Sequence, residues 1–144
     1  MRIQVRAAVA GDEAAIVALI QELAETIGEA SPVTTAYVAE YLGTPGSKVL
    51  LAEENGRGIG LLSCSLRPNL YHAGSSALIE ELVVAASHRG SGAGHAMMTA
   101  LLQDLEAQGC AEVSVTTMPE NEGAQRFYKS LGLTDEAVFL EKHF

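Results

Sequence analysis

The run H-R-G-S-G-A-G-H, His88 to His95, places three glycines within five residues. It follows an apolar stretch, Ile79 to Ala86, and precedes a helical pattern, Ala96 to Leu105. Glycine loses more backbone freedom on folding than any other residue, so three together need a reason. A strand that feeds such a loop and then a helix aims several free backbone N–H groups at one point, where the helix dipole adds partial positive charge. Without Cβ atoms, an anion can come close. Arg89, Gly90, Ser91, Gly92, Ala93 and Gly94 therefore read as a phosphate cradle, with the Ser91 hydroxyl as a further contact. A tight strand-to-helix turn without a ligand satisfies the same spacing.

Two nucleotide motifs fit poorly. A Walker A loop needs Gly-Lys followed by Ser or Thr, which this chain lacks. A dinucleotide fingerprint needs G-x-G-x-x-G in an opening β-α unit. Here the spacing is G-x-G-x-G, in the middle of the chain.

The elements that must position the loop follow from periodicity. Arg2 to Ala8 alternates as a short strand. A helix opens at Gly11-Asp12, with Asp12 as the expected N-cap; Ile16, Leu19, Ile20, Leu23 and Ile27 follow at helical spacing, and Gly28 closes it. A shorter helix is expected after Pro32, ended by Gly43 to Ser47. Strands over Lys48–Asn55 and Ile59–Arg67 flank the turn signal Asn55-Gly56 and pair antiparallel. A third strand covers Ala77–Ala85. After the glycine loop come a helix to about Gln108, a strand over Ala111–Thr117, a helix carrying Ala124, Phe127, Tyr128 and Leu131 on one face, and a closing strand in the alternating tail Thr134–Phe144. The order is β-α-α-β-β-β-α-β-α-β. The strands that enclose the helix after the loop should run parallel. An α+β fold is expected, with a mixed sheet flanked by helices, as one domain over residues 1–144.

Composition narrows the function class. The 144 residues are 48% hydrophobic, enough for a core. Acidic residues number 18 against 9 Lys and Arg, for a net charge of −9, and no basic cluster occurs, so a nucleic-acid partner is not expected. No apolar run is long enough to span a membrane, and no signal region is evident, so the chain reads as cytoplasmic. Cys64 and Cys110 form no C-x-x-C, and the four histidines have no tight ligand spacing, so no metal is expected.

Arg89-x-x-Gly92-x-Gly94 resembles the R/Q-x-x-G-x-G/A pyrophosphate loop of the GNAT superfamily, the acyl-CoA-dependent N-acyltransferases. The segment N-E-G-A-Q-R-F-Y-K-S-L-G-L is similar to that family's N-x-x-A-x-x-F-Y-x-x-x-G-F, carried by Asn121, Ala124, Phe127, Tyr128 and Gly132, with Leu133 where Phe is usual. The likeness covers nearly the whole chain and is weakest from about Gly28 to Gly46. It implies a parallel strand pair that splays apart to bind CoA. The pantetheine would pair with Leu82, Val83 and Val84, and the pyrophosphate would lie on Arg89 to Gly94. Asn121 and Ala124 would sit near the cofactor, and an amide near Val83 or Val84 would polarise the thioester carbonyl.

The implied reaction moves an acetyl group from acetyl-CoA to a primary amine by direct attack in a ternary complex. An ammonium must lose a proton, and the departing thiolate gains from receiving one. Tyr128 matches the family's usual acid. Glu80 and Glu81 are candidate bases, expected on opposite faces by strand alternation; Glu80 is preferred, and His72 and His88 are weaker candidates. Glu25, Glu29, Tyr37, Glu40, Tyr41, Tyr71 and His72 lie where the acceptor site should form. With the acidity, they suit a small cationic amine or a lysine or N-terminal amine. A non-catalytic acyl-CoA sensor is the rival reading. Dimerisation is common in proteins of this resemblance, often through the sheet edge or the C-terminal strand.

Overall fold

The computed structural model describes residues 2–144. Its elements run β1 (Gln4–Ala7), α1 (Glu13–Glu25), α2 (Thr35–Leu42), β2 (Ser47–Glu54), β3 (Arg57–Asn69), β4 (Gly74–Val84), α3 (Ala93–Ala107), β5 (Glu112–Val115) and α4 (Glu122–Ser130), with a single 3₁₀ turn over Ala86–His88. The strands form one sheet in the order β1-β2-β3-β4-β5. The first three pairings are antiparallel, and β4 and β5 are parallel. The parallel pair is joined through α3, as a β-α-β crossover requires.

Alternation in the strands builds two cores, one on each face of the sheet. On one face Leu51, Leu61 and Val83 pack against Ile16 and Leu19 of α1 and Val38 of α2. On the other, Leu50, Leu62, Cys64 and Ile79 pack against Met97, Met98, Leu101 and Leu105 of α3 and Tyr128 of α4. Local chemistry fixes the ends. Asn55 and Gly56 both take positive φ, as a two-residue hairpin turn of the mirror-image type requires. Thr34 caps α2 by accepting from the Tyr37 amide. Gly109, at φ +75°, ends α3 while the Cys110 amide reaches back to the Leu105 carbonyl, a Schellman closure.

Three expectations are corrected. Asp12 stands at the N-cap of α1 but makes no cap bond there. Its carboxylate instead accepts two 2.8 Å bonds from the Arg6 guanidinium and one from the Val9 amide, and the Arg6 bond leads the causes that hold its carboxyl down at about 2. The closing strand is absent: Thr134–Phe144 has no regular structure, and Val138, Leu140 and Phe144 are exposed. Alternation makes a strand only where an edge accepts it, and this tail pairs with none. The third correction concerns the glutamates of β4. Ser63 of β3 pairs with Glu81, but its neighbour Cys64 pairs with Ile79, so Glu80 is an extra residue, a β-bulge. The bulge cancels the alternation and turns both glutamates to the α1–α2 face.

Candidate active site

β4 and β5 stay paired from Ser76↔Glu112 to Ile79↔Val115. There β5 ends, and β4 continues for five more residues, Glu80 to Val84, without a partner on that side. Backbone groups of alternate residues on that edge are left for something other than a strand. Leu82, Val83 and Val84 lie in this unpaired stretch.

The glycine loop begins just beyond. Gly90 and Gly92 have φ of +79° and +90°, and a Cβ on either would meet open space. Their glycine requirement is therefore conformational. Gly94 differs. Its φ is ordinary, and a Cβ there would lie 3.6 Å from Phe127 and 3.8 Å from Val84, an ordinary contact. Helix α3 begins with Gly92 as a left-handed N-cap and has no side-chain cap. The Ser91 hydroxyl approaches the Ala93 amide at 3.4 Å, and no bond within the described residues engages the amides of Gly92, Gly94 and His95. Arg89 is exposed at the loop's edge. An uncapped helix start with an adjacent cation fits a pyrophosphate.

Asn121 caps α4, its Oδ1 accepting from the Ala124 amide at 3.1 Å. Ala124 is half-buried against the α3-side core. Tyr128 is buried there, with Phe127 edge-on at 5.2 Å. Burial alone pushes its phenol up to about 12, and no residue among those described bonds the hydroxyl, which leaves a protonated donor free.

On the opposite face of the sheet, α1, the loop before α2, α2 and strands β2–β4 line an open cavity of about 630 Å³. Glu81 lines it and Glu80 does not. Ser63 hydrogen-bonds the Glu81 carboxylate and also accepts from the Glu81 amide at 3.0 Å. Glu80, exposed, meets Ser65 at 3.4 Å. Tyr37 and Tyr41 line the cavity too. Burial raises the Tyr41 phenol, and the negative charges of Glu81 and Glu80 raise it further.

The other residues suggested by the sequence do not gather here. Tyr71 and His72 sit at the β3–β4 hairpin, where His72 faces Glu112 at 3.3 Å. His88 faces Glu54 at 3.4 Å. Glu25, Glu29 and Glu40 are outside the lining. Sequence reasoning missed Ser63 and the aliphatic wall, both of which looked like ordinary core. Cys64 is a buried thiol pushed up to about 11, first by burial, and Cys110 is half-buried. Among the described residues no group of three metal-ligating side chains converges, and no helix is long and apolar enough to cross a membrane.

An open-ended parallel pair, an uncapped glycine loop after it and a buried tyrosine on the α3 side of the sheet fit an acyl-CoA-dependent transferase. The model of the Acetyltransferase (GNAT) family matches residues 16–133, so the chain belongs to that family, whose members use acetyl-CoA as co-substrate. It is 31% identical over 117 residues to a glucosamine 6-phosphate N-acetyltransferase of Trypanosoma brucei brucei, covering 77% of this chain and 78% of that one. Among solved structures, a transcriptional regulator from Bacillus halodurans C-125 superposes with a TM-score of 0.86 at 24% identity, covering 99% of this chain and all of the other. An aminoglycoside acetyltransferase from an uncultured soil metagenomic sample, in complex with sisomicin, gives 0.84 at 20% identity, covering 99% and 95%. At those identities the two structures establish the fold.

Proposed function

We propose that the chain transfers an acetyl group from acetyl-CoA to a primary amine held in the α1–α2 cavity, by direct attack in a ternary complex. The observation that carries this reading is the gap after Ile79 and Val115. Glu81 lines the cavity on one face of the sheet, Tyr128 is buried in the core on the other, and the uncapped start of α3 follows β4 in the chain.

Acetyl-CoA supplies the acyl group as a thioester. Arg89 and the amides from Gly90 to Gly94 hold its pyrophosphate, Ser91 adds a hydroxyl, and Ala93, Asn121 and Ala124 shape the path. The free edge over Leu82, Val83 and Val84 pairs with the pantetheine, and an amide of that edge faces the developing oxyanion. Glu81, fixed by Ser63, takes a proton from the acceptor ammonium, directly or through one water. The freed lone pair attacks the carbonyl carbon, the C–N bond forms and the C–S bond breaks. The nitrogen sheds its second proton, and the sulfur gains one.

Tyr128 donates a hydrogen bond to the departing sulfur. A phenol held at about 12 is a weaker acid than a thiol near 8.5, so complete transfer would be uphill by about 5 kcal/mol. The proton that completes the thiol then comes through water. The same reading places the protein in the cytoplasm as a single domain over residues 1–144, and as a homodimer.

The test is calorimetric titration with acetyl-CoA, followed by thiol release against a panel of amines. Binding with amine-dependent release is expected. Binding without release from any amine would reduce the protein to a sensor, and no binding would make the glycine loop a turn alone.

A further inference from the structure

The cavity wall limits what the acceptor can be. Most of the lining is aliphatic or aromatic, including Ile20, Val33, Leu42 and Leu61. Glu81 is its one carboxylate, and it has no Lys, Arg or His. Arg67, the nearest cation along that face of β3, is exposed two residues beyond Ser65 and outside the lining.

The wall's polar side chains are few, and apart from the two phenols each already holds a neighbour. Ser31 accepts from the Val33 amide at 3.1 Å, Thr34 accepts from the Tyr37 amide at 3.1 Å, and Ser63 is bonded to Glu81. A sugar seated there would turn hydroxyls towards an aliphatic wall with few partners for them, each at a cost in free energy. A phosphate would meet no positive charge and would face Glu81. A polycation would find one carboxylate in the wall, with Glu80 outside the lining on the same face, for several ammonium groups. A single ammonium with an apolar body meets none of these penalties: Glu81 pairs with the head, Tyr37 and Tyr41 offer ring faces, and the aliphatic wall takes the rest.

We propose that the acceptor is a primary monoamine with an apolar body, of the arylalkyl or branched alkyl type, and neither a sugar phosphate nor a polycationic aminoglycoside. The inference rests on the transferase reading above and departs from the substrate for which the Trypanosoma relative is named.

The experiment measures thiol release by the full chain at saturating acetyl-CoA, with 2-phenylethylamine, glucosamine 6-phosphate and sisomicin as acceptors. The kcat/KM for 2-phenylethylamine should exceed that of the other two at least tenfold. Ile20→Ala should raise the KM for 2-phenylethylamine about tenfold and leave the KM for acetyl-CoA unchanged. Val33→Arg, which puts a cation on the wall, should shift the ratio towards glucosamine 6-phosphate. If acetyl-CoA binds and either polar acceptor turns over as fast as the monoamine, the inference fails and the transferase reading stands. If no acceptor releases thiol, the transferase reading fails and the inference falls with it.

Discussion

Tyr128 sits in the core on one face of the sheet and Glu81 lines the cavity on the other, and the proposed chemistry asks different things of them. Tyr128 is buried, carries a phenol at about 12 and has no partner for its hydroxyl among the described residues, so its proton is kept through the working pH range. Tyr128→Phe removes one hydrogen bond to a developing thiolate, worth about 1.5–3 kcal/mol. The expected result is a kcat about 10- to 100-fold lower, with the acetyl-CoA Kd within threefold of the parent. Because the phenol does not titrate near neutrality, the shape of the pH profile should not change. Glu81→Gln keeps the size and the bond to Ser63 but cannot take a proton; kcat/KM for the amine should fall at least 100-fold. Glu80→Gln, outside the cavity, should stay within threefold. Steady-state kinetics on the three variants decide the assignment, and equal losses from both glutamine variants would return the base role to the pair.

At the scale of elements, the two kinds of glycine in the loop make different demands. Gly92 begins α3 at φ +90°, where an L residue is strained by about 1–2 kcal/mol. Gly92→Ala should therefore reshape the amide cradle and weaken acetyl-CoA about tenfold by calorimetry, while kcat at saturation changes little. Gly94→Ala meets only ordinary contacts with Phe127 and Val84, and affinity should hold within threefold. Equal effects at the two positions would make the loop's role steric rather than conformational. This loop was readable from sequence because its signals are local: positive φ, a helix start and the strand before it lie within fifteen residues. The Asn55-Gly56 hairpin and the α3 stripe were readable for the same reason. The bulge at Glu80 was not, because it is a mismatch of register between β3 and β4 and belongs to neither strand alone. Without it, the two glutamates divide between faces and the preference for Glu80 cannot be weighed against the bond of Glu81 to Ser63, eighteen residues before it. The cavity wall was hidden too, since Ile20, Val33 and Leu61 have the pattern of any core and only the packing leaves space among them.

At the scale of the whole molecule, the sheet ends in a four-residue strand, β5, whose outer edge is unpaired among the described residues. The tail that follows α4 keeps the apolar pattern of a strand yet leaves Val138 at 85% and Leu140 at 88% exposure, with Phe139 more than half exposed. An open sheet edge and a strand-like segment in one chain are complementary surfaces, and edges of this kind pair readily with other chains. In the proposed homodimer each tail would add along the edge of the other, which covers part of this apolar surface and gives the closing strand absent from the single chain. Such a reciprocal exchange is a closed two-fold arrangement and stops at two copies. Light scattering behind a sizing column should then give twice the mass of one chain. Deleting Thr134–Phe144 should give a single-chain mass, with α4 and Tyr128 still folded because Leu133, which packs on the α3-side core and bonds the Tyr128 carbonyl, is kept. A full-length chain that runs at single-chain mass, or a truncated one that remains double, would remove the tail from the interface.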